Sequence, residues 1–248
     1  FIYFKFVYII LKMNIRLYHP DSILENTTSL LNKEHTHYVV NVMRLKRGAN
    51  LNFFNKNGEW KSEVIFLNKD RVEVKFLEKI KQSNDLSKIE LAICLIKKNP
   101  METIFQKATE LGVKKIIPIV SERTEVKELN HDRAKRIVIE ATEQSNQLEP
   151  PEIADVVKLK EFLKTFDETT KLLFADVNSK ENLKAEDLKN FKSLCILIGP
   201  EGDFSPEERE SILQNRSVKH FTLSRNILRS DTAVISAISL VNFINNFH

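Results

Sequence analysis

From Ile89 onward, short apolar runs alternate with longer stretches of helical period. That alternation limits the fold more than any other feature of this 248-residue chain. "IELAICLI", "KKIIPIV", "KLLFADV", "SLCILIG" and "KHFTL" read as strands, and 100–111, 131–146, 158–166, 205–214 and 231–246 as helices. The pattern predicts an α/β domain, a mainly parallel sheet with helices on both faces. Such sheets bind ligands beyond the carboxyl ends of their strands. Upstream the pattern is β. "ANLNFFN", "EWKSEVIFLN" and "RVEVKFLEKI" are strand-like, with reversals at Asn57-Gly58 and at "NKD", 68–70. "THYVVNVMRL" predicts a short helix ended by Gly48. A small barrel or meander buries such strands.

These patterns divide the chain into a β domain over 13–80, a polar linker over 81–88 and an α/β domain over 89–248. Residues 1–12, "FIYFKFVYIILK", precede Met13 and are too short to span a bilayer. They lack a signal-peptide cleavage pattern and read as a non-native extension from a misplaced start, with a membrane anchor as the lesser alternative. Hydrophobic residues at 42% and charged residues at 29% describe a soluble globular protein and exclude a disordered one. A net charge of +4 permits a nucleic-acid partner without requiring one. Cys94 and Cys195 each sit in an apolar run, with no CxxC pair, which argues for a reducing cytoplasm. His35 and His37 stand two apart and share no helix face, so no metal is expected.

The stretch "CILIGPEGDFSPEERE", 195–210, runs from a strand through a tight loop into an acidic helix start. Ser205, Pro206 and Glu208 form an N-terminal capping pattern, with Glu207 and Glu210 adding negative charge. A helix start already filled with carboxylates is a poor phosphate cradle, and no phosphate-binding glycine motif occurs. Gly199 and Gly202 are two of only 5 glycines in the chain. Their closeness suggests special backbone conformations or a ligand pressed against the main chain; a plain tight turn is the competing explanation.

A second stretch, "TLSRNILRSDTAVISAISLVNFI", carries "SRNILR" between a strand end and a helix start at Ser230 or Asp231. Ile227 and Leu228 could wall a pocket for a flat ring. Arg229 adds positive charge beside the helix's own positive pole; the fold gains nothing there, so a functional role is expected. Val234, Ile235, Ile238, Val241 and Ile244 behind it are core. A ligand with an adenine ring, a ribose and a cationic centre but no phosphate fits this inventory, and S-adenosylmethionine is such a molecule.

"IGPEGDFSPEE" with "LSRNILRSDTA" resembles the paired signature of the SPOUT methyltransferases, specifically the RsmE type, which methylate N3 of a uridine in 16S ribosomal RNA. "MRLKRGANLNFFN", "KKNPMETIFQKATELGVKKIIPIVSERTEVK" and "IEATEQSN" look like further blocks of that family, collinear over roughly 14–246. The resemblance implies a PUA-like β-barrel followed by an α/β domain with a deep trefoil knot. It also implies a cytoplasmic homodimer acting on 16S rRNA in the small ribosomal subunit. Carried over by position, the cofactor residues are Leu197, Ile198, Gly199, Pro200, Glu201 and Gly202, then Leu223, Ser224, Asn226, Ile227 and Leu228, with Thr232 near by. Asp176 to Asn178 is a lesser third contributor. Four positions depart from the pattern: Asp203 and Ser224 stand where glycine is usual, and Asn226 and Gln147 where arginine is.

Uracil N3 is a weak nucleophile until its proton leaves, so the site needs a base or cations that stabilise the anion. Arg229 is the expected cation, and Asp231 and Glu201 are candidates for base or positioning. Asp231 as a mere N-cap is the equal alternative. For RNA, Arg44, Lys46 and Arg47 form a basic cluster, which Lys97, Lys98, Lys107 and Arg123 could extend. Two other functions stay open from the residues: a catalytically inactive RNA-binding or assembly factor, and methylation at another target such as the ribose 2′-oxygen.

Overall fold

The computed structural model describes residues 15–82, 87–166 and 169–247. The reading of residues 1–12 and of Met13 lies outside them. The chain divides after Asp85 into two units, each with its own packed interior.

In the first unit, β1 (Arg16–Tyr18), β2 (Thr28–Leu30), β3 (Asn50–Asn55), β4 (Gly58–Leu67) and β5 (Val72–Gln82) form one sheet ordered β1-β3-β4-β5-β2. The β1–β3 pair is parallel and the others antiparallel. Alternate residues point one way, so Leu51, Phe53, Val72, Val74 and Phe76 meet Trp60 and Val64 in one apolar cluster. The meander β3-β4-β5 follows the expected runs, but its details differ. Asn55 pairs with Gly58, so Lys56 and Asn57 are the two loop residues and Gly58 begins β4. Glycine is needed there: φ is +145° and a Cβ would lie 2.4 Å from the Lys81 carbonyl oxygen. Asn68 closes the next turn by accepting from the amides of Asp70 and Arg71. β5 continues through Lys81 and Gln82, expected as linker, because both pair with β4.

The expected helix begins earlier and ends sooner. Asn32 caps α1 (Lys33–His37) by accepting from the His35 amide, and a π-helical turn follows over Tyr38–Val42. Arg44, at φ 51°, takes the left-handed conformation beyond it, whereas Gly48 belongs to the turn entering β3.

The second unit contains β6 (Ile89–Cys94), α2 (Lys98–Glu110), β7 (Lys115–Val120), α3 (His131–Gln144) and the two-residue strands β8 (Glu152–Ile153) and β9 (Val157–Lys158). Then come α4 (Leu159–Phe162), β10 (Thr170–Ala175), β11 (Ser193–Ile198), α5 (Pro206–Leu213), β12 (Val218–Phe221) and α6 (Ser230–Phe247). Every strand pair described in this unit is parallel, in the order β12-β10-β11-β6-β7-β8 with β9 also on β7. The fold is thus the expected mainly parallel α/β sheet.

Period-two alternation sends successive side chains to opposite faces. Leu91, Ile93, Leu173, Ile196 and Ile198 pack with α2, α3 and α6. Ala92, Cys94, Leu172, Phe174, Cys195 and Leu197 pack on the other face with α4 and α5. On α6, Val234, Ile238 and Val241 are fully buried and Ile244 nearly so, while Ile235 is only half-buried. Each such aliphatic side chain contributes about 1.5–3 kcal/mol by leaving water.

Candidate active site

Four carboxyl ends lie side by side: those of β12, β10, β11 and β6. β11 and β12 are not themselves neighbours. β10 separates them, so the loop after β10 fills the gap between the two loops singled out by sequence. Together with the chain leaving β6, these loops enclose a cavity of about 1070 Å³.

The loop after β11 supplies Ile198, Gly199, Pro200, Glu201 and Gly202 to the cavity wall, and the loop after β12 supplies Leu223, Ser224, Asn226, Ile227 and Leu228. Arg229 and Asp231 complete that side. Leu197 and Thr232 are not on the wall. The side chain of Leu197 turns to the opposite face of the sheet, since adjacent strand residues alternate. Thr232 is exposed, one residue into the helix from Asp231. Asp231 is not the N-cap of α6: the helix starts at Ser230, and the Arg229 carbonyl accepts its bond from the Ala233 amide. Asp231 Oδ1 instead accepts from the Thr232 amide at 2.8 Å.

The loop after β11 is held by its own sequence. Asp203 sits at φ 59°, a left-handed conformation that aspartate enters more readily than most residues, and its Oδ1 accepts from the Phe204 amide. The capping box of α5 forms as expected, Ser205 Oγ accepting from the Glu208 amide and Glu208 from the Ser205 amide. A Cβ on Gly199 would lie 3.0 Å from the Phe204 ring, whereas one on Gly202 would make only ordinary contact with Arg123. Neither glycine has a positive φ. Arg123 Nη1 donates to the Gly202 carbonyl at 3.0 Å, and the Glu122 amide donates to Glu208, so the turn after β7 braces this loop.

Residues that sequence patterns miss or place elsewhere also wall the cavity. Ile96, Lys97, Lys98, Asn99 and Pro100 come from the link between β6 and α2. The two lysines among them are expected from sequence only as part of an RNA track. The signal for them is the strand order, which puts β6 beside β11, and no local pattern encodes that. Asp176 and Val177, a lesser expectation, are on the wall as well. Lys107 is engaged by Glu110 at 2.8 Å. In the first unit, Arg44, Lys46 and Arg47 lie on the loop between the π-helical turn and β3; Arg44 and Lys46 are within reach of solvent there, as is Arg47. Cys94 and Cys195 are buried free thiols; burial pushes Cys94 from 9.0 up to about 12 and Cys195 well above its usual value.

Two family matches make this an RNA methyltransferase domain with a PUA domain on the same chain. A family model described as an RNA methyltransferase domain matches residues 81–242, and one described as an RNA methyltransferase PUA domain matches 31–77. The chain is 32% identical to ribosomal RNA small subunit methyltransferase E of Rickettsia conorii, over 93% of this chain and 96% of that protein. It is 31% identical to the Bacillus subtilis protein of the same name, over 90% and 93%. A crystal structure of the Neisseria gonorrhoeae protein of that name, bound to S-adenosyl methionine, superposes with a TM-score of 0.85 at 26% identity, covering 95% of this chain and all of that one. The chain belongs to the ribosomal RNA small subunit methyltransferase E family.

Proposed function

We propose that this chain methylates N3 of a uridine in the 16S ribosomal RNA of the small subunit, with S-adenosylmethionine as methyl donor. The observation that carries this reading is a single cavity lined by the 198–202 loop, the 223–228 loop and Arg229. Its volume is at the upper end of what a small ligand occupies, which leaves room for a nucleobase beside the cofactor. In the reaction the sulfur–methyl bond breaks as the N3–methyl bond forms, the N3 proton leaves to a base, and neutral S-adenosylhomocysteine departs. Arg229 offsets the charge spread over O2 and O4. Asp231 and Glu201, both on the cavity wall, are the groups available to take or orient the proton. Ile198, Gly199, Pro200 and Gly202 hold one side of the cofactor, and Leu223 to Leu228 the other.

The strand order that brings the last loops together supports the knotted threading implied by the resemblance. A homodimer is supported by exposed apolar side chains: Val177 is 58% exposed and Ile227 91%. The solvent-facing cluster of Arg44, Lys46 and Arg47 supports an RNA-contact role for the first unit, and cytoplasmic action beside the ribosome is the corollary. Arg123, already bonded to the Gly202 carbonyl, is assigned to loop bracing together with RNA contact.

The test is Arg229→Ala. Calorimetry should find cofactor affinity retained, while methylation of small-subunit RNA falls by a factor of about 10² or more, the order expected for loss of a transition-state charge partner. Unchanged turnover removes Arg229 from the mechanism. Mass spectrometry of the product nucleoside, finding the methyl group on ribose instead of N3, would replace the proposed target.

A further inference from the structure

Asp176 is the first residue beyond β10, and its carboxylate is fully shielded from solvent. Its amide donates to the Phe221 carbonyl of β12 and its carbonyl accepts from the Ser179 amide. Oδ1 accepts from the Asn178 amide at 2.9 Å. Both carboxylate oxygens also receive Arg209: Nη2 to Oδ2 at 2.7 Å, and Nε to Oδ2 and Oδ1 at 3.2 and 3.3 Å. His220 Nδ1 is 4.0 Å from Oδ2 and bonded to Ser179 Oγ at 3.0 Å. Arg209 is not on the cavity wall. It stands on α5, the helix that the 199–204 loop leads into. A second tie joins the same two loops, Asn178 Nδ2 to Asp203 Oδ2 at 3.5 Å.

A buried carboxylate that loses its charge-paired guanidinium must be rehydrated or displaced, and either change moves the loop built around it. The bonds at Asp176 shape residues 176–179, so its displacement would deform the cavity wall directly. The planar fork of arginine fixes both distance and angle, which a lysine ammonium does not.

We propose that Arg209 is a positioning residue for S-adenosylmethionine, holding the loops after β10 and β11 at their working separation through the buried Asp176 carboxylate. The inference rests on the reading of this cavity as the cofactor site. It assigns Arg209 to cofactor binding and not to the chemical step.

The experiment compares the full-length wild type with Arg209→Gln, Arg209→Lys, Asp176→Asn and the Arg209→Gln/Asp176→Asn pair. Cofactor Kd is read by calorimetry, and KM for cofactor, KM for RNA and kcat by kinetics. Arg209→Gln should weaken cofactor binding about tenfold or more, while kcat at saturating cofactor and KM for RNA stay near wild type. Arg209→Lys should recover part of the affinity, which keeps the test decisive if the glutamine variant does not fold. In the Asp176→Asn background the Arg209 substitution should cost clearly less, because the two act as one unit. Wild-type cofactor affinity in Arg209→Gln or Arg209→Lys, even with a lowered melting temperature, overturns the proposal, as does a fall confined to kcat. Failure of the wild type itself to bind S-adenosylmethionine would overturn the reading of the cavity, and this inference with it.

Discussion

Gly199 and Gly202 look alike in the sequence but stand in different surroundings. At Gly199 the crowding is internal: an added Cβ meets the Phe204 ring at 3.0 Å. That ring is buried and packed edge-on to Phe174, so it cannot yield. Gly199→Ala should destabilise the fold by about 1–3 kcal/mol, the usual range for overpacking. At Gly202 the nearest atoms to a new Cβ are 3.8 and 3.9 Å away on Arg123, and the backbone tolerates a side chain. Gly202→Ala should therefore leave thermal stability unchanged or raise it by about 0.4–1 kcal/mol, yet weaken cofactor binding, if a ligand presses on that backbone. Thermal melts beside calorimetry separate the two cases. Wild-type cofactor affinity in Gly202→Ala would remove close approach as the reason for the glycine.

The central strands β6 and β11 carry the two cysteines, and burial there has a consequence in alkali. Desolvation is the largest influence on both thiols; Ser121 and Thr124 pull Cys94 back in part. A thiol whose folded pKa is raised opposes folding only where the unfolded thiol ionises: folding is undisturbed below the ordinary value of 9.0, and stability falls as pH rises from there toward the folded value, about 12 for Cys94. Each pH unit above 9 should thus cost about 1.4 kcal/mol per buried thiol. Urea unfolding at pH 8, 9 and 10 should fall more steeply for wild type than for Cys94→Ala/Cys195→Ala, whatever their offset at pH 8. Parallel pH slopes would mean that burial does not hold these thiols in their neutral form.

At the scale of the whole molecule, the cavity belongs to one unit and the basic loop to the other. All cavity residues fall between Ile96 and Ala233, whereas Arg44, Lys46 and Arg47 lie in the first unit. Replacing those three by glutamine should leave S-adenosylmethionine affinity unaltered while weakening RNA binding. The slope of log affinity against log salt should flatten by about 0.7–0.9 for each phosphate no longer neutralised. An unaltered salt slope would release the first unit from the role of RNA platform.

Much of this architecture is legible in the sequence, because two periods of apolar residues correspond to two backbone geometries. Alternation at two residues marks β3, β4, β5 and the central parallel strands, and capping chemistry at Ser205 sets the start of α5. Asp203 likewise carries its left-handed turn in its side chain. The three-residue strands β1 and β2 escape notice because each is too short to express a period, and Asn32 starts α1 ahead of the apolar run. Residue chemistry and spacing determined the fold class and the two loops that face the cavity. Only the tertiary structure decided that β10 lies between β11 and β12, that the link after β6 joins the wall, and that Arg209 reaches Asp176. Strand order is a choice among long-range pairings of similar local sequences, and its free energy resides in contacts between residues far apart in the chain.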